Sequence, residues 1–257
     1  MNSRVAWIAG AVFFLLALIA TIPARLVAGW VPLPPGVSLG YVSGTLWHGR
    51  IDNLMLMGIR FDDVRFELQP WALLLARLSL KVESSLDGDS FMRGQVWASP
   101  LSLGASDLTL QVPAQPLVNL IALPLPQTVA GLIRLDLASA RSGSPWCREV
   151  QGTFGWDNAQ LHNQMLREPL PLGPYTVELG CDKGELTAHV NDAGQLGISA
   201  DLRLMADSAY RVSALISPAP TVPAEVRQGL ALIAEDQGAG FQLEFSGSFK
   251  QGADAAP

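Results

Sequence analysis

From residue 38 onward, apolar residues recur at every second position in short runs, and that period admits few folds. Leu78, Leu80 and Val82 alternate with Ser79, Lys81 and Glu83. Leu108, Leu110 and Val112 alternate with Thr109 and Gln111, and Ile133, Leu135 and Leu137 with Arg134 and Asp136. The pattern returns in Ala200, Leu202 and Leu204, in Tyr210, Val212, Ala214 and Ile216, and in Phe241, Leu243 and Phe245. Successive side chains of a strand point to opposite faces, so these runs read as half-buried antiparallel strands. Asp87-Gly88-Asp89, Lys183-Gly184, Asn191-Asp192-Ala193-Gly194 and Gln237-Gly238-Ala239-Gly240 supply residues that tolerate positive φ, which predicts hairpins between strands. Between Ile59 and Leu68 the apolar phase switches at Asp62-Asp63, which predicts a bulge or tight turn.

Helix is a minor component of this mainly β chain, and each short helix is expected to begin at a proline: Pro70, Pro116, and Pro223 for a run to about Ala234. These helices would cap sheet ends or cover edges. Trp47, Trp71, Trp97, Trp146 and Trp156 stand at the starts and ends of alternating runs. They read as core packing at sheet ends, with an apolar binding groove as the functional alternative.

The front of the chain is different. Val5 to Ala24 contains no charged residue, and 20 helical residues span roughly 30 Å, the thickness of a bilayer's hydrocarbon core. The run is longer than the apolar region of a signal peptide, and no A-x-A-like pair closes it, so a retained anchor is favoured over a cleaved signal. The expected organisation is a cytoplasmic tail (1–4), a transmembrane helix (5–24), and a proline-rich extended stem (25–37). A β-rich domain (38–249) follows, then a disordered tail (250–257). Gly44-Thr45-Leu46-Trp47 is echoed by Gly152-Thr153-Phe154-Gly155-Trp156, which suits two similar halves (38–130 and 131–249) and also suits chance recurrence.

The two cysteines, Cys147 and Cys181, read as a disulfide. Cys181 shares a strand face with Tyr175, Val177 and Leu179, whereas Cys147 falls out of phase with Val150, Phe154 and Trp156, so it requires a bulge or a late strand start. A bridge would place the domain in an oxidising compartment, hence the N-terminus in the cytoplasm and the bulk in the periplasm of a Gram-negative cell. The chain carries 17 basic and 23 acidic residues, and setting aside Arg4 and Arg25 makes the remainder more acidic still. With no block of Lys or Arg, nucleic acid is not an expected partner.

No catalytic constellation emerges. His48, His162 and His189 lie far apart with no partner at metal-ligand spacing, and Gly40-Tyr41-Val42-Ser43-Gly44 puts its serine one place too late for a nucleophile elbow. Asp87 and Asp89 lack the remaining ligands of a calcium loop and read as a turn. No phosphate-cradling glycine motif occurs. The expectation is a binding protein without catalytic residues, metal or cofactor.

A family resemblance follows from the order of these features. A single N-terminal crossing and a proline-rich exit lead to Gly44-Thr45-Leu46-Trp47-His48-Gly49 with Ile51, Leu54 and Leu56. Then come Val64-Arg65-Phe66-Glu67-Leu68-Gln69-Pro70, Gly152-Thr153-Phe154-Gly155-Trp156, Ala209-Tyr210-Arg211-Val212 and Gly240-Phe241-Gln242-Leu243-Glu244-Phe245-Ser246-Gly247. Together they resemble the protein N family of the bacterial type II secretion system over nearly the whole chain. The resemblance implies an inner-membrane, periplasm-facing accessory component that acts by protein–protein interaction in exoprotein export. Its partners would be other secretion subunits, of the inner-membrane platform or the secretin, besides membrane lipid through the anchor. It implies no catalytic residue. The alternative is an envelope lipid-binding or lipid-transport protein with an apolar β-groove. An open apolar channel would mark the alternative, a closed core with scattered surface apolars the docking protein.

Overall fold

A computed structural model describes residues 3–30, 33, 36–84, 89–120, 128–162, 169–191, 194, 196–206, 208–220, 222, 227–228, 235–236 and 240–248. Pro32, Pro34 and Pro35 of the expected stem, Asp87-Gly88, most of the helix expected from Pro223, the Gln237–Ala239 turn and the tail lie outside the described residues. The chain divides into two compact units, Met1–Pro100 and Leu101–Pro257.

The first unit opens with helix α1, Ser3–Ala20, 18 residues or about 27 Å long. The helix stops four residues before the apolar run does. The Thr21 hydroxyl donates back to the Ala17 carbonyl at 2.9 Å, and Pro23 brings no N–H to continue the ladder. Among the described residues, no helix is long and apolar enough to cross a membrane. Pro23 caps a second helix, α2 (Ala24–Ala28), where the proline-rich stem was expected to be extended. Its five residues contain neither Pro nor Gly, and the clustered prolines begin only at Pro32.

Six strands complete this unit: β1 (Val37–Leu39), β2 (Val42–Gly44), β3 (His48–Leu56), β4 (Ile59–Leu68), β5 (Leu78–Glu83) and β6 (Phe91–Ser99), with helix α3 (Pro70–Leu73) between β4 and β5. They run antiparallel in the order β1-β3-β4-β5-β6, and β2 also pairs with β3. Helix α3 starts at its proline as expected.

The phase switch in β4 is present: Ile59 and Phe61 are buried before it, Val64 and Leu68 after it. It is not a bulge. The pairing with β3 keeps one register from Leu56↔Ile59 to His48↔Glu67, and β3 changes phase alongside, with Ile51 and Leu54 on the inward side. The shared kink comes from Asp63, whose φ of 50° lies in the left-handed region that aspartate tolerates. Its carboxylate pairs with Arg50 on β3 and, at 3.3 Å, with Arg65.

In β5 the expected faces are partly exchanged: Ser79 is 1% exposed while Leu78 is half exposed. Ser79 is satisfied inside because Gln95 donates to its hydroxyl at 2.6 Å and to the Gln69 side chain at 3.2 Å.

The second unit contains β7 (Ser102–Pro113), α4 (Ala114–Leu120), β8 (Thr128–Ser142), β9 (Cys147–His162), β10 (Leu170–Asp182), β11 (Glu185–Asn191), β12 (Ile198–Leu204), β13 (Ala209–Ile216), β14 (Glu235–Asp236) and β15 (Phe241–Ser248). All pairings in it are antiparallel, and the order follows the chain until β15 inserts between β13 and β14. Helix α4 begins two residues before the expected Pro116, which sits within its first turn. Lys183 and Gly184, at φ of 52° and 90°, make the predicted hairpin turn. Tyr175 and Ala159 form a buried centre, ringed by Trp156, Leu161, Leu196 and Ile198.

Candidate interaction surfaces

Strand periodicity places each apolar residue on a face; register decides whether those faces join. In the second unit they do. Leu110 lies opposite Leu135, Leu135 opposite Phe154, and Phe154 opposite Val177. The row continues through Val190, Ala200, Ala214 and Leu243. A parallel row two residues along contains Leu137, Leu179, Leu202, Val212 and Phe245. The first row runs unbroken from β7 to β15, the second is interrupted at Gly152 on β9, and the side chains along them are half-buried rather than sealed, with Phe245 at the far side 56% exposed. Among the described residues, α4, packed on β8, is the one helix with substantial contact to this sheet.

The opposite face carries the complementary row: Thr109, Asp136, Thr153, Glu178, His189, Asp201, Ser213 and Glu244 in successive strands. Its members bond to one another, Thr109 to Asp136 at 2.8 Å and His189 to Asp201 at 2.8 Å. Beside them Arg203 bridges Asp182 and Glu185, each at 3.3 Å, along a cleft of about 460 Å³. These exposed ion pairs contribute little to stability. Their effect is to fix which face meets water.

One end of this sheet is knotted. Cys147 and Cys181 are joined as a disulfide with Cα atoms 6.2 Å apart. Strand β9 begins at Cys147, and its pairing with β8 shifts register between Arg141 and Ser142, which accounts for the out-of-phase position of that cysteine. The backbone N–H groups of Trp146 and Cys147 both donate to the Gly184 carbonyl, at 3.0 and 3.2 Å, and the Trp146 indole donates to the Met205 carbonyl at 2.6 Å.

The first unit has its own join. The Trp47 indole donates to the Ile19 carbonyl in the last turn of α1 at 3.0 Å, Leu46 N–H donates to the Ile22 carbonyl at 2.9 Å, and Pro23 bridges to Thr45. The helix and the sheet are therefore sewn together directly.

The tryptophans do not share one role. Trp156 packs at the core beside Tyr175, and Trp97 lies under the Arg77 guanidinium at 4.1 Å. Trp71, expected in the core, is 79% exposed on α3, a four-residue helix with no buried residue. His189 faces Asp201, and His48 lies 3.6 Å from Glu67. Among the described residues, no group of three or more His, Cys, Asp or Glu is placed to hold a metal ion.

A mainly β, two-faced antiparallel protein of this kind presents surfaces for binding. Residues 35–244 match the family model described as type II secretion system (T2SS), protein N. The chain is 32% identical over 248 residues to the type II secretion system protein N of Aeromonas hydrophila, covering 92% of this chain and 96% of that one. The protein of the same name from Vibrio cholerae is 25% identical over 227 residues, covering 87% and 89%. That from Pectobacterium carotovorum is 26% identical over 228 residues, with the same coverage. No solved structure matches. The chain belongs to the type II secretion system protein N family, and its role is that of an accessory component of that secretion system.

Proposed function

We propose that this protein is held in the inner membrane by α1, with both β units in the periplasm, and that it serves exoprotein export by docking other secretion subunits on the apolar face of its second sheet. The carrying observation is the apolar row that register extends from Leu110 on β7 to Leu243 on β15. Apolar area removed from water contributes roughly 25 cal/mol per Å², so a half-covered face of this extent favours association. The polar row behind it keeps the other side solvated, so a partner meets one face and one orientation.

The anchor reading draws on α1 itself. Trp7, Phe13, Phe14, Leu15 and Leu18 are exposed, and from Val5 to Ala20 the helix carries no charged residue on any side. A helix apolar on every side suits hydrocarbon rather than water. A helix slightly short of the bilayer core is accommodated by local thinning and by a flanking arginine such as Arg25 reaching the interface. The disulfide supports the periplasmic side, since such bridges persist in oxidising compartments. Protease added to spheroplasts is expected to degrade everything beyond about residue 30; a protected C-terminal part rules out the topology.

Photocrosslinkers at Leu110 and Phe245 on the apolar face, and at Arg65, Gln111 and Glu244 as surface comparisons, test the docking reading in cells. The expected products at Leu110 and Phe245 are adducts with subunits of the secretion platform or the secretin. Adducts with phospholipid alone at those two positions replace docking with lipid handling.

A further inference from the structure

We infer that α3 is a second membrane contact, a short wedge that seats in the bilayer interface beside the exit of α1; this rests on the reading of α1 as a membrane anchor. The residues from Pro70 to Ala76 carry no charge. Trp71, Leu74 and Leu75 are 79%, 79% and 80% exposed, and Leu78 on the following strand is half exposed. Such a cluster of large apolar side chains facing water is costly unless something covers it. It is also not a loose loop. Ala76 N–H donates to the Leu73 carbonyl and Arg77 N–H to the Ala72 carbonyl, each at 3.0 Å, and Gln69 N–H ties the start of the helix to the Ser79 carbonyl at 2.9 Å. The apolar side chains are presented on a closed turn.

What covers them follows from where the turn is held. Leu68 N–H, two residues before α3, donates to the Trp47 carbonyl at 2.8 Å, and the Trp47 indole in turn donates to Ile19 in the last turn of α1 at 3.0 Å. One residue thus fixes the start of α3 next to the end of the helix that leaves the bilayer. Helix α2, which follows α1 after three residues, exposes Leu26, and Trp30, two residues beyond its end, is exposed as well. Tryptophan concentrates at membrane interfaces because its ring is apolar and its N–H is polar. The occupant is therefore the outer leaflet of the same membrane, and the turn sets the tilt of the first sheet against its surface.

The test uses the full chain in vesicles of phosphatidylethanolamine and phosphatidylglycerol, with benzoylphenylalanine at Leu15, Leu75 or Met57 and adducts read by mass spectrometry. Met57 is an exposed apolar residue in the turn at the other end of β4, about 30 Å along the strand from Leu68. Lipid adducts at Leu15 and Leu75, at least tenfold above those at Met57, are the expected result. Adducts at Leu15 without adducts at Leu75 overturn the wedge and leave the anchor standing. Absence at Leu15 overturns the anchor. Equal labelling at Leu75 and Met57 also overturns the wedge, because it marks contact without orientation.

Discussion

The indole N–H of Trp146 donates to the backbone carbonyl of Met205 at 2.6 Å, joining the segment before β9 to the turn after β12. Fifty-nine residues separate the two, so the bond ties strands that the hairpin ladder alone does not bring together. Replacing Trp146 with Phe keeps an aromatic side chain and removes the donor. A net loss of about 1 kcal/mol is expected, read as a lower urea midpoint with an unchanged slope.

The disulfide beside it closes a separation of 34 residues. Chain-entropy arithmetic for a loop of that length gives roughly 3 to 4 kcal/mol. A double Cys147→Ser, Cys181→Ser variant is expected to lose about that much stability. Reductant is expected to lower the midpoint of the parent protein and leave the double variant unmoved; two freely alkylated thiols in denatured parent protein contradict the pairing.

Gly184 and Gly58 both occupy left-handed turn positions, at φ of 90° and 84°, yet their surroundings differ. A methyl group at Gly184 collides with the Ser144 carbonyl and the Pro145 ring, while at Gly58 it meets open space. Gly58→Ala is expected to cost about 1 kcal/mol of backbone strain, and Gly184→Ala at least twice that. Thermal midpoints of the two variants measured together separate strain from collision.

Phe61 and Phe245 test which aromatic residues hold the fold and which serve its surface. Phe61 is 1% exposed, and Phe61→Ala is expected to cost about 3 to 5 kcal/mol. Phe245→Asp, at an exposed site, is expected to change stability by less than about 1 kcal/mol while lowering export of secreted proteins. A Phe245→Asp strain with full export removes the apolar face from the docking reading.

Much of the architecture was legible in period two. The runs around Leu110, Leu135, Leu202, Val212 and Leu243 are strands whose apolar residues share one face, because each run is long enough for one side to be consistently apolar. The exceptions turn on partners distant in sequence. Ser79 is interior because Gln95 and Gln69 arrive to bond around it, and no local pattern announces them. The turn at Met57-Gly58, with φ of 49° and 84°, has no clear signature in the sequence because methionine is not a turn former. At Asp63 the phase switch was visible in the residues, but whether it came from an extra residue or a left-handed one depends on the register of β3. For the candidate surface, periodicity named the apolar side of each strand, and only the pairing showed that eight strands place those sides in one row.

From β8 to β12 every strand pairs with the one just before it and the one just after it. A chain delivered N-terminus first can therefore add each new strand to an edge already in place, without waiting for a distant segment. Contacts that are close in sequence cost little loop entropy and form quickly. The exception is the end, where β14 must stand by until β15 has docked on β13. Until then the growing edge is an open row of backbone donors and acceptors, and β14 covers only its Phe241–Gln242 end.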